Sequence, residues 1–98
     1  MKLVVVGINH KSAPVDIRER LAVPADSLKD ALVYLSRYVR AGAILSTCNR
    51  TEVYAVGDSS GNAAQTLVTY LAEYHRLPAA EFAHYLYSYE DEEPVMHL

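Results

Sequence analysis

Leu3, Val4, Val5, Val6, Gly7 and Ile8 form a short unbroken apolar run rich in β-branched side chains, the pattern of a central strand buried on both faces. Asn9 to Pro14 then reads as a polar loop. Pro14 is suited to opening a short helix, with Val15, Ile17 and Leu21 on its apolar side and an end before Pro24. Ser27 followed by Asp30 resembles a capping box, and Leu28, Ala31, Leu32, Leu35 and Val39 recur at helical spacing, so a second helix is expected to run to Gly42. Ala43, Ile44 and Leu45 enter a strand that meets the polar pentad Ser46-Thr47-Cys48-Asn49-Arg50, where a turn sends the chain back. Thr51 to Val56 alternates, with Val53 and Ala55 on one side and Glu52, Tyr54 and Val56 on the other.

After the turn residues Asp58 to Gly61, Asn62 with Gln65 makes a capping signal for a helix carrying Leu67, Val68, Leu71 and Tyr74 and ending near His75. Phe82 to Tyr89 reads as a fourth, half-exposed strand with Tyr85, Tyr87 and Tyr89 in alternation. Acidic residues before Pro94 mark the start of a further helix, and the end at Leu98, just inside it, is read as a truncation. The order predicts an α+β, ferredoxin-like βαββαβ domain spanning residues 1–98, an antiparallel sheet with helices packed on one face.

Composition adjusts this picture modestly. With 51% hydrophobic and 21% charged residues the chain is globular, and 98 residues hold one core. No apolar run approaches the roughly 18 residues that span a bilayer, and the N-terminus lacks a secretory layout, so no membrane role and a cytoplasmic location are expected. The net charge of −3 is concentrated at Glu90 to Glu93, and no basic cluster marks a non-specific nucleic-acid surface. The tyrosine row without interleaved basic residues is ordinary sheet surface rather than a base-stacking platform.

A single cysteine excludes an internal disulfide and a cysteine-rich zinc site, and the four histidines show no metal-ligand spacing, so no metal is expected. Cys48 is either a small core hydrophobe or a nucleophile. A nucleophilic thiol must be exposed and must reach the thiolate state, which a guanidinium nearby favours, and Arg50 stands two residues away. Arg50 is in turn either a surface partner of Glu52 or a planar fork for a substrate carboxylate. Thr47 and Asn49 are turn formers or substrate hydrogen-bonders. His75 and His84 read as surface residues, while His10 and His97 are placed to approach the pentad.

Two segments carry a resemblance: Gly7-Ile8-Asn9-His10-Lys11-Ser12-Ala13-Pro14-Val15 with Ile17-Arg18-Glu19-Arg20-Leu21, and Leu45-Ser46-Thr47-Cys48-Asn49-Arg50-Thr51-Glu52-Val53-Tyr54. Both resemble the N-terminal catalytic domain of glutamyl-tRNA reductase, as does the closing Val95-Met96-His97-Leu98. The resemblance implies that Cys48 attacks the glutamyl ester of its tRNA to give a thioester, which NADPH reduces to glutamate-1-semialdehyde at the entry to tetrapyrrole synthesis. It implies that Thr47, Asn49 and Arg50 hold substrate, Arg50 through the glutamate carboxylate, and that His97 is a catalytic histidine polarising the carbonyl or handling a proton. The resemblance assigns His10 no defined role: it is either a further chemical group or part of a loop that shapes the pocket.

The same resemblance implies a homodimeric full-length enzyme and a handover to the aminomutase acting on glutamate-1-semialdehyde. NADPH is expected to bind a domain absent from this chain, because no strand here is followed by Gly-x-Gly-x-x-Gly. Alone, the piece is expected not to complete hydride transfer. The alternative is a non-catalytic ferredoxin-like binding module or an inactive fragment.

Overall fold

The computed structural model describes residues 2–57 and 61–91. Four strands and three α-helices occur in the order β1 (Lys2–Asn9), α1 (Val15–Leu21), α2 (Leu28–Leu35), β2 (Gly42–Ser46), β3 (Arg50–Gly57), α3 (Ala63–His75) and β4 (Tyr87–Asp91), with short 3-10 turns at Ala25–Ser27, Ala79–Glu81 and Ala83–Tyr85. The strands form one antiparallel sheet in the order β2-β3-β1-β4. This α+β arrangement agrees with the expected class, and its strand order is compatible with the ferredoxin-like topology.

The apolar run becomes the central strand for the reason its pattern suggests. Val4, Val6 and Ile8 are buried beneath the helices with Val53 and Ala55 of β3, and meet Ile17, Leu21, Leu35, Leu67, Tyr70, Leu71 and Phe82 in one core. Each buried aliphatic side chain of this kind contributes about 1.5–3 kcal/mol. Val5 points to the opposite face, where no helix packs among the described residues, yet it is only 8% exposed. Its cross-strand neighbours there are Tyr54 and Tyr89. Two aromatic rings flanking a strand residue cover it without a second layer.

The helix at Ser27 departs from expectation at both ends. Ser27 closes a 3-10 turn and makes no side-chain cap to α2; its hydroxyl lies 3.5 Å from Asp26 Oδ1 instead. The helix stops at Leu35, whose carbonyl oxygen accepts from both Tyr38 and Val39, so Val39 reaches the core from a turn. Leu32 is exposed and only Ala31 and Leu35 are buried. Gly42 is therefore not the helix end. It opens β2, and a Cβ there would meet Leu35 Cδ2 at 2.8 Å and the Tyr54 carbonyl oxygen at 2.9 Å, so its smallness lets strand and helix approach.

The third helix follows its signals: Asn62 Oδ1 accepts from the Gln65 N–H at 3.3 Å, and the helix ends after His75 at Arg76, whose φ of 56° is left-handed. Tyr70 on this helix donates its hydroxyl to the Ala31 carbonyl oxygen at 2.9 Å, fixing α3 against α2. His75, expected at the surface, is half-buried beside Tyr74. Its Nε2 has no hydrogen-bond partner, and burial lowers its pKa from 6.5 to about 4. His84 is exposed as expected.

The fourth strand is shorter than its tyrosine alternation suggests. Phe82 is buried in the core and Tyr85 packs against that core from a 3-10 turn, so only Tyr87 to Asp91 pair with β1. The expected helix at Pro94 lies outside the described residues.

Candidate active site

Strands β2 and β3 form a hairpin, and the polar pentad is its turn. The Thr47 N–H donates to the Arg50 carbonyl oxygen at 2.8 Å, closing the loop. The Thr47 hydroxyl oxygen then accepts from the backbone N–H groups of Asn49 at 3.2 Å and Arg50 at 3.3 Å. A short hydroxyl side chain doing this is a turn former, so that part of the dual reading of Thr47 is observed directly. Ser46 anchors the base of the turn, its hydroxyl accepting from the Val23 N–H at 2.9 Å and lying 3.1 Å from the Thr51 hydroxyl.

Cys48 stands on this turn as an exposed free thiol. The core reading of this residue is therefore wrong, and the exposure that a nucleophile requires is present. Thr47, Asn49 and Arg50 are exposed around it. Arg18, on α1, reaches across 30 residues of sequence to donate from Nη1 to the Cys48 carbonyl oxygen at 3.4 Å. The register pairs Asn9 with Arg50, so the loop carrying His10 leaves the sheet at the same end as the pentad. That loop is folded back on itself, with Asn9 Oδ1 accepting from the Lys11 and Ser12 N–H groups at 2.9 and 3.0 Å. His10 is exposed on it, and His97 lies outside the described residues.

Running from the turn along the face of the sheet opposite the described helices is a charge network of which the sequence spacing shows only the Arg50–Glu52 pair. Arg50 Nε lies 3.9 Å from Glu52 Oε1. The same Glu52 oxygen accepts from the Tyr54 hydroxyl at 2.7 Å, and Oε2 accepts from the Tyr87 hydroxyl at 2.6 Å. Glu52 and Tyr87 both sit opposite Gly7 in the register, so the carboxylate lies over the one position of β1 without a side chain. Arg50 thus pairs with Glu52 and is half-exposed, with Nη1 and Nη2 outside that contact.

The family model for the N-terminal domain of Glutamyl-tRNAGlu reductase matches residues 6–98. The chain belongs to the glutamyl-tRNA reductase family. Glutamyl-tRNA reductase of Neisseria gonorrhoeae strain NCCP11945 is 46% identical over 99 residues, covering 99% of this chain and 23% of that protein. The Cyanothece sp. enzyme is 40% identical over 100 residues, covering 100% of the chain and 23% of the relative. The chain therefore spans about a quarter of the length of these curated relatives.

Within this glutamyl-tRNA reductase domain the electrostatics centre on Glu52. Burial raises its pKa, but the hydrogen bonds from Tyr87 and Tyr54 and the Arg50 charge together outweigh burial and hold it below the ordinary value of 4.5. Tyr87 is displaced the other way, by burial first and then by its bond to the Glu52 charge. A carboxyl with a lowered folded pKa contributes stability that is complete above its unfolded pKa and is lost as pH falls through the folded value. Glu52→Gln should therefore flatten part of the loss of urea resistance below about pH 4.5. Tyr87→Phe should cost about 1.5 kcal/mol at neutral pH, the scale of a hydrogen bond to a charged group. An unchanged urea midpoint in Tyr87→Phe would mean that the bond contributes nothing.

Among the described residues no group of three or more His, Cys, Asp or Glu side chains could hold a metal ion, and no helix is long and apolar enough to cross a membrane.

Proposed function

We propose that this domain carries out the covalent half of glutamyl-tRNA reduction, with Cys48 as its nucleophile. The observation that supports this most directly is an exposed thiol on a hydrogen-bonded hairpin turn, with Arg18 bonded to the cysteine's own carbonyl oxygen and Arg50 two residues along the turn, in a chain of this family. The Cys48 thiolate attacks the ester carbonyl that joins glutamate to tRNA. A carbon–sulfur bond forms, the ester carbon–oxygen bond breaks, and the tRNA leaves as its ribose alkoxide, taking a proton. The product is a glutamyl thioester on the enzyme.

Each neighbour has a part in this reading. Arg50, oriented from behind by Glu52, presents its remaining N–H donors to the side-chain carboxylate of the glutamyl group. Thr47 and Asn49 complete the pocket around that group, the Thr47 hydroxyl still having its own proton to donate after accepting two backbone bonds. His97 is assigned the carbonyl or the proton on the leaving oxygen, by its match to the family pattern.

In the family resemblance, NADPH then reduces the thioester to glutamate-1-semialdehyde. The glycines of this chain, at 7, 42, 57 and 61, do not make the close-spaced loop that cradles a dinucleotide pyrophosphate, and Gly7 and Gly42 are pressed against neighbouring backbone. The residues present do not fit that cofactor, so no reduction step is assigned to them. A homodimer, handover to the aminomutase that consumes the semialdehyde and a cytoplasmic setting belong to the same proposal for the full-length enzyme.

Incubating the chain with tRNA carrying labelled glutamate, without reductant, tests the reading. Label should appear on protein and be removed by hydroxylamine, as a thioester is. No protein-bound label and no released glutamate above the uncatalysed rate would refute it.

A further inference from the structure

We infer that Arg18 is a positioning residue for the nucleophile, acting through the Cys48 carbonyl group. The inference rests on the proposed covalent role of Cys48. The turn is held from inside by Thr47, whose hydroxyl fixes the N–H groups of Asn49 and Arg50. Those bonds leave the Cys48 carbonyl unconstrained from within. The orientation of that peptide plane sets the backbone angle at Cys48 and hence the direction of its side chain.

The group that meets this carbonyl comes from another element. Arg18 Nη1 donates to it at 3.4 Å from α1, the link from Cys48 itself to the helical layer. The Arg18 side chain is not simply lying along the surface, since its Nε is buried without a hydrogen-bond partner. A fixed planar guanidinium held in that way has a defined direction, which a lysine or a solvated arginine lacks. Its charge also stands next to the turn on which an anionic sulfur must form and a carbonyl oxygen must gain negative charge. Hairpin turns sit at the less constrained end of a scaffold, and a misplacement of about 1 Å at a reacting group can cost on the order of a hundredfold in rate.

Arg20 supplies the internal control. It lies on the same helix with the same charge, but pairs with Glu81 at 3.0 Å, away from the nucleophile.

The test compares Arg18→Met, Arg18→Lys and Arg20→Met in single-turnover transfer of labelled glutamate, with the alkylation rate of Cys48 by iodoacetamide and the urea midpoint measured on each. Arg18→Met should lower the maximal transfer rate by about tenfold to a hundredfold, while the half-saturating tRNA concentration moves less than about twofold. Arg18→Lys should recover part of the rate, and Arg20→Met should match the unaltered chain. A wild-type rate in Arg18→Met would overturn the inference. So would a fall in rate that follows the urea midpoint and is not recovered by lysine. If the unaltered chain neither takes up label nor releases glutamate above the uncatalysed rate, the function proposed for Cys48 has failed; alkylation then decides alone. Slower alkylation in Arg18→Met than in Arg20→Met supports positioning, and equal rates refute it.

Discussion

Cys48→Ser should eliminate transfer of glutamate to the protein while leaving its stability unchanged. The side chain is exposed on a turn whose hydrogen bonds are made by Thr47, Ser46, Arg18 and the backbone, so none of the bonds that shape the turn uses the sulfur. A surface replacement of this kind typically moves stability by less than about 0.5 kcal/mol. Chemistry is another matter. A serine hydroxyl is a far poorer nucleophile near neutral pH, and the ester it would form is no more electrophilic than the one it replaces. A loss of at least about a thousandfold in label transfer is expected, the scale reached when a nucleophile is removed. Urea unfolding and label transfer measured on the same preparation separate the two effects. Retained transfer in a folded Cys48→Ser protein would remove Cys48 from the mechanism.

Gly7→Ala should damage both the sheet and the site. A Cβ at position 7 would lie 2.6 Å from the Thr51 carbonyl oxygen and 2.8 Å from Glu52 Cγ. The first contact is with backbone that β1 and β3 share across the centre of the sheet, so it cannot be relieved by turning a side chain. Overpacking of this kind costs about 1–3 kcal/mol and occasionally more, and the backbone nature of the 2.6 Å contact places this case at the upper end. The second contact pushes Glu52 off β1, away from Tyr87 and Arg50. A lower urea midpoint together with a lower yield of labelled protein is the expected pair of results. A Gly7→Ala protein as stable as the original would show that the close approach is not a constraint.

Much of the architecture was legible because its signals are local. The β-branched run at residues 3–8, the alternation through Val53 and Ala55 and the Asn62 cap each depend on residues a few positions apart, and each appears as expected. Where the outcome was set by distant partners, the pattern misled. Leu28, Leu32 and Val39 share a helical repeat with Ala31 and Leu35, but the crowding of Gly42 against Leu35 and the Tyr54 backbone brings the chain into β2 after α2 has already ended. Phe82 and Tyr85 fit a strand alternation, yet both are drawn toward the helical core.

The site divides in the same way. The pentad and its cysteine were visible as a motif, and alternation was enough to place Glu52 and Tyr54 on one strand face, whereas Arg50, assigned to the turn, proves to be the first residue of β3. That Tyr87 closes on the same carboxylate depends on β4 pairing beside β1, and that Arg18 meets Cys48 depends on where α1 packs. Neither has a short-range signal. His75 was misread for a related reason, since an imidazole at the end of an amphipathic helix carries no mark of which way it turns.

The hairpin has a further consequence for how the domain is made. The turn bonds of Thr47 join residues at most three apart and require only that β2 meets β3. The Arg18 bond closes 30 residues and the Tyr87 bond closes 35. Short loops close at lower entropic cost and faster than long ones. In refolding the hairpin turn is therefore expected to close before the Arg18 and Tyr87 bonds, and the full set of contacts is the signature of completed folding.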